Sequence, residues 1–141
     1  MSNSFIRIIQ NPILLRHLDR VAFKTSIDFI TVESPLVLPE GVNPTMIIFE
    51  IEMENAIELI SKWKAKWPKC FLAAAVTNPD KELWMAANAA GCDLVSNRGS
   101  LPILLRKKIE AYLAGVEKLI PETMRLMAKP VVNPGDGLIA R

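Results

Sequence analysis

Apolar positions in this chain gather into five short runs: FIRII (5–9), IDFITV (27–32), TMIIFEI (45–51), CFLAAAV (70–76) and DLVS (93–96). Their shortness and apolar character, with isoleucine dense in the first, predict strands. The third and fourth are apolar without alternation, as parallel strands covered on both faces are. Between the runs, apolar residues recur every three to four positions. Ile13, Leu14, Leu18, Val21 and Ala22 make one helical face, and Ala56, Leu59, Ile60 and Trp63 make another. Leu101, Leu104, Leu105, Ile109, Leu113 and Val116 make a stripe on a final helix that runs to about Leu119.

The residues between these segments set the boundaries. Asn11 and Pro12 read as a cap and first turn, and Pro68 stops the helix that starts near Asn55. Thr77 to Asp80 form a loop that caps a helix over 80–90, and Gly91 ends it in the left-handed region. Ser100 with Pro102 opens the last helix. SPLVLPEGVNP (34–44) holds three prolines and a glycine, so it reads as loop with at most one helical turn. Strands that alternate with helices predict a parallel sheet with helices on both faces. Five strands suit an α/β flavodoxin-like three-layer sandwich of order 2-1-3-4-5, here with the second helix shortened or missing. Leu36, Val37 and Leu38 are candidates to cover the sheet in its place.

Composition narrows the function classes. The chain has 141 residues, half of them apolar, which suits one domain with a full core. Charged residues are 23% and the net charge is +2, too balanced to point to nucleic acid. The apolar runs are too short to span a membrane, and MSNSFIRIIQNP lacks the pattern of a signal peptide, so a cytoplasmic protein is expected. Cys70 and Cys92, without CxxC spacing, read as reduced structural thiols. With His17 as the single histidine, a zinc site is not expected and no cofactor is indicated. From Pro121 the composition turns to proline, glycine and small residues. This divides the chain into a domain over 1–120 and a tail over 121–141 that is too short for a helix-turn-helix with its own core.

Four segments, in this order and spacing, resemble the receiver domains of two-component response regulators, the CheY-like family. PTMIIFEI (44–51) is similar to the family's third strand, PDLILLDI, with Glu50 at the phospho-acceptor position. AAVTN (74–78) resembles the fourth strand with its terminal Thr or Ser, here Thr77. AANAAGCDLVSNRGS (86–100) is similar to AxxAGADDYLxKPF, with Arg98 in place of the lysine and Asn97 one position earlier. IIQNPILLR (8–16) resembles the first strand, but Gln10 and Asn11 stand where the acidic pair belongs.

The resemblance implies phosphoryl transfer to an aspartate with Mg²⁺, a lysine and a sensing hydroxyl, and that chemistry can be tested against these residues. Mg²⁺ favours carboxylates, and the amide oxygens of Gln10 and Asn11 carry no net charge. The pocket is therefore expected to hold too little negative charge for a divalent cation. Glu50 is one methylene longer than Asp, which shifts an attacking oxygen by roughly 1–1.5 Å, a misplacement worth about a hundredfold. Arginine keeps the lysine's charge without its point geometry. Thr77 alone fits unchanged, although it equally suits a cap or turn before Pro79. Glu50 has two readings: a solvated carboxylate at the strand's edge, or a partner for Arg98 that holds one fixed state.

The expectation is a degenerate pseudo-receiver. It is not an enzyme and acts as a signalling adaptor through a protein partner or homodimerisation, without nucleic acid or membrane. By resemblance, the docking face includes Lys81, Trp84, Asn88, Ser96, Arg106, Lys107 and Glu110. Trp63, Trp67 and Trp84 suit buried packing first and interface anchors second. The alternative is a sensor whose crevice binds a small molecule or anion near Thr77 and Arg98. An active receiver using Glu50 is the third reading.

Overall fold

The structure, a computed structural model, describes residues 4–35, 38, 41–78 and 80–115. Five strands and four helices alternate: β1 (Phe5–Ile8), α1 (Pro12–Thr25), β2 (Phe29–Thr31), β3 (Met46–Glu50), α2 (Ala56–Lys66), β4 (Phe71–Val76), α3 (Lys81–Ala90), β5 (Leu94–Asn97) and α4 (Leu101–Leu113). The strands form one parallel sheet in the order β2-β1-β3-β4-β5, as expected. Neighbouring β1 and β3 are connected through β2 on the outer side. Their C-terminal ends therefore diverge into a crevice, the usual ligand position in such sheets.

Each face of the sheet carries its own apolar layer. Ile6, Ile47, Phe49, Leu72 and Ala74 pack with Ile60 and Trp63 of α2 and Ala87 of α3. Phe5, Ile48, Ala73 and Ala75 pack with Leu14 and Leu18 of α1 and Leu101, Leu105 and Ile109 of α4. All six residues of β4 are buried, three of them alanines. The lack of alternation in that run follows from burial on both faces.

The helix ends follow local chemistry. Asn11 Oδ1 accepts the N–H of Leu14, and Asp80 Oδ1 that of Leu83, so both helices start on a side-chain cap. α3 ends at Gly91, whose φ of 114° is open to glycine and strained for other residues. α1 ends at Ser26, with φ 61°, without that glycine. At α4 the cap moves: Ser100 makes no capping bond, and Asn97 Oδ1 instead accepts the Ser100 N–H.

Several expectations need correction. Ile13 lies outside the α1 stripe and is 59% exposed, because it is turned about 100° from the buried face of Leu14, Leu18, Val21 and Thr25. α4 ends at Leu113, short of Leu119, and Leu104 and Leu113 are exposed, so the buried stripe narrows to Leu101, Leu105 and Ile109. Val116 and the tail over 121–141 lie outside the described residues. Among the described residues no α-helix joins β2 to β3, Pro35 lying in a 3₁₀ turn, and Leu38 and Val42 pack against the layer there. Leu36 and Val37 lie outside the described residues. Trp63 is buried and stacks edge-on against Phe49 at 5.3 Å, while Trp67 and Trp84 are half-buried against the same layer. Burial of Trp63 uses the surface an interface anchor would need.

Opposite the crevice, at the start of β4 and β5, a polar knot ties the edges together. Lys64 Nζ pairs with Asp93 Oδ2 at 2.7 Å and also donates to the Cys70 carbonyl. The same Asp93 oxygen accepts the Leu72 N–H at 2.9 Å. Burial pushes the Asp93 carboxyl up from its ordinary value, against the opposing pull of its bonds to Lys64 and Leu72. Close passage of Lys64 leaves no room at Gly91, where an added Cβ would lie 2.9 Å from Lys64 Cγ. Sequence reading missed this knot, because nothing in a lone lysine and a lone aspartate 29 positions apart marks them as partners.

Candidate functional site

The crevice at the C-terminal ends of β1, β3 and β4 has a volume of about 650 Å³. Ile8, Met53 and Leu59 supply apolar wall, and Gln10, Glu50, Thr77 and Asn78 come together on it. Thus three of the five positions singled out on the catalytic pattern, Gln10, Glu50 and Thr77, line one cavity. Asn11 and Arg98 are not among its lining residues.

β3 delivers two carboxylates here, and each turns to a different neighbour. Glu50, the last residue of β3, is half-buried, and its Oε1 accepts the backbone N–H of Gln10 at 2.7 Å. Gln10 Nε2 donates on to the Glu33 carbonyl at 3.3 Å, so the ends of β3, β1 and the loop after β2 are linked. Glu52 turns the other way. Its Oε2 accepts the N–H of Thr77 at 2.8 Å and that of Asn78 at 3.0 Å. Hydrogen bonds to an ionised acceptor are about twice as strong as neutral ones, so these contacts are a real restraint on the loops.

The expected partner of Glu50 is different. Among the described residues no ion pair joins Glu50 to Arg98. Arg98 continues the pairing of β5 with β4 through its N–H to the Val76 carbonyl, beyond the crevice wall. The carboxylate therefore finds a backbone donor nearer than the guanidinium.

The charge of the crevice also differs from expectation. Glu33, Glu50, Glu52 and Glu54 all line it, with no Lys or Arg among its lining residues. It was expected to hold too little negative charge; it holds more, supplied by Glu33, Glu52 and Glu54 rather than by positions 10 and 11. The carboxylates do not converge, however. Among the described residues no group of three His, Cys, Asp or Glu side chains could hold a metal ion. The Asn11 amide oxygen caps α1, Gln10 offers only an amide, and the two glutamates of the β3 end point at separate loops. The residues present do not fit the Mg²⁺ site that a receiver would need.

The residues expected on a docking face divide by exposure. Lys81, Asn88, Lys107 and Glu110 are exposed, and Arg106 pairs with Glu110 across one helical turn at 2.9 Å. Ser96 is buried in β5 and Trp84 half-buried, so neither is a free surface group. Coverage of both sheet faces explains Ser96: it and its neighbour Val95 are both buried, and only Asn97, at the strand's end, is exposed. Glu52 is the residue sequence reasoning passed over. Its signal was its position directly after the apolar run, two residues past Glu50, at the edge where loops meet.

No protein-family model matches the sequence, and no curated protein matches it. Solved structures do match in shape. A response regulator from Thermotoga maritima superimposes with a TM-score of 0.64 at 15% identity, over 79% of this chain and 99% of that one. DrrB, an OmpR/PhoB homologue from the same organism, gives 0.67 at 13% identity, over 84% of this chain and 55% of DrrB. An orphan response regulator of H. pylori gives 0.61 at 19% identity, over 82% and 93%. The fold is the CheY-like receiver fold. No helix among the described residues is long and apolar enough to cross a membrane.

Proposed function

We propose that this chain is a non-catalytic pseudo-receiver, a signalling adaptor that works through contact with a protein partner or with a second copy of itself. Residues 1–120 form the receiver-like domain in this reading, and 121–141 a tail. Response regulators share its fold, which favours a signalling role. The observation that carries the non-catalytic part is the setting of Glu50: its Oε1 accepts the Gln10 N–H, on a rim where positions 10 and 11 are amides. A nucleophile so engaged, one methylene too long, beside amides in place of acids, is poorly set for phosphoryl transfer.

Incubation of the full chain with acetyl phosphate and Mg²⁺, followed by intact mass measurement, tests this. No added phosphoryl mass is expected, and a phosphoryl group mapped to Glu50 would refute the reading. Exposed Lys81, Asn88, Lys107 and Glu110 are the contacts proposed for the partner, with neither nucleic acid nor membrane involved.

A second reading, a small-molecule sensor, is favoured by the size of the crevice. Four glutamates make a cation or neutral polar molecule the better guest, and an anion the worse one. Thermal shifts with putrescine and with inorganic phosphate separate these cases: a rise with the diamine alone supports a cation site.

A further inference from the structure

We propose that Glu52 is an internal latch that holds the loop after β4 in one state without any added group. Ile51 sets the anchor. It is 1% exposed, and its N–H donates to the Ala75 carbonyl at 2.9 Å, so pairing with β4 continues one step past β3. The next residue is therefore launched from a fixed point. The Met53 N–H returns to the Glu50 carbonyl at 3.1 Å and closes the turn that presents the Glu52 side chain.

On the far side, Thr77 and Asn78 follow directly on Val76, the last residue of β4. Their two consecutive N–H groups converge on a single oxygen, Glu52 Oε2. Successive backbone N–H groups aimed at one point make an anion site, and here the anion is covalently part of the chain. The loop leads to Asp80, the cap of α3, so the latch fixes the approach to that helix. A tethered carboxylate needs no association step, so it occupies the site at an effective concentration that a free oxyanion does not match. The proposal deepens the pseudo-receiver reading and rests on it for its meaning: the loop that carries Thr77 is set by the sequence and not by a transferable group.

Residue-resolved amide exchange on the full chain tests it. In Glu52→Ala, the Thr77 and Asn78 amides are expected to exchange about tenfold faster or more, the scale of one lost hydrogen bond to an ionised group. Amides of Phe71–Val76 and all amides in Glu54→Ala stay at wild-type rates. Unchanged exchange at 77 and 78 in Glu52→Ala overturns the latch. If that variant also loosens β4, Glu52→Gln, which keeps the side chain's shape, takes its place: faster exchange confined to 77 and 78 supports the latch, and unchanged exchange overturns it. The two readings fail separately. A phosphorylated Glu50 in the wild-type chain removes the pseudo-receiver reading and leaves the amide result standing. Unprotected amides at 77 and 78 remove the latch alone.

Discussion

The Glu50 carboxylate and the Gln10 backbone N–H meet at 2.7 Å across the gap between the ends of β3 and β1. A side chain on one strand thereby serves as the acceptor that the neighbouring strand lacks past its last ladder bond. Truncation by Glu50→Ala leaves that N–H to water. Because the site is half-buried, a loss of about 1 kcal/mol is expected, and Arg98→Ala stays within about 0.5 kcal/mol. Urea denaturation of the two variants checks the pair. Equal losses would restore the Glu50–Arg98 ion pair.

The knot of Lys64 and Asp93 predicts a pH dependence. Burial raises the folded-state pKa of Asp93 above its ordinary 3.8, so the folded chain holds this proton more tightly than the unfolded one. Its contribution is fully present below 3.8 and is lost as pH rises through the raised folded value. The stability of the wild type relative to Asp93→Asn should therefore decline over that window, as followed by denaturant titration at a series of pH values. A difference that stays flat would mean the carboxyl is not perturbed.

The two thiols predict inertness. Burial pushes Cys70 and Cys92 up to about 12 from 9.0, so both are neutral and enclosed near pH 8. A thiol reagent should label neither in the native chain at pH 8 and both in denaturant. Above 9.0 the unfolded thiols ionise before the folded ones, so stability should also fall as pH rises towards 12.

Two helix ends predict opposite outcomes. Ser26 closes α1 at φ 61° with a side chain that gains nothing there, so Ser26→Gly should stabilise by about 0.5–1 kcal/mol. Gly91→Ala meets both the left-handed backbone at φ 114° and the Lys64 stem, and should destabilise by about 1–3 kcal/mol. Thermal melts of the two variants should move in opposite directions.

Much of this architecture was legible in the chain. Unbroken apolar runs at Ile47–Phe49 and Phe71–Val76, short and bounded by turn residues, pointed to strands covered on both faces. Asn11-Pro12, Asp80 and Gly91 marked helix ends because their chemistry is local. The crevice was legible in outline, since strand order alone brings positions 10, 50 and 77 to one edge. Its wiring was not. Which donor Glu50 finds depends on distances among three chain segments far apart in sequence, and a backbone N–H leaves no mark in the residue code. For the same reason nothing in the sequence marked the two N–H groups that Glu52 meets, and the Lys64–Asp93 pair was invisible.

The alanines of β4 carry a consequence for how this chain can diverge. Ala73 and Ala75 face one apolar layer and Ala74 the other, all on an inner strand and nearly inaccessible. A larger residue at any of them has nowhere to grow, since overpacking a dense interior costs about as much as hollowing it. The polar rim of the molecule is free to change while its floor stays frozen. Three methyl groups thus hold the sheet to its spacing, whatever the side chains of its rim become.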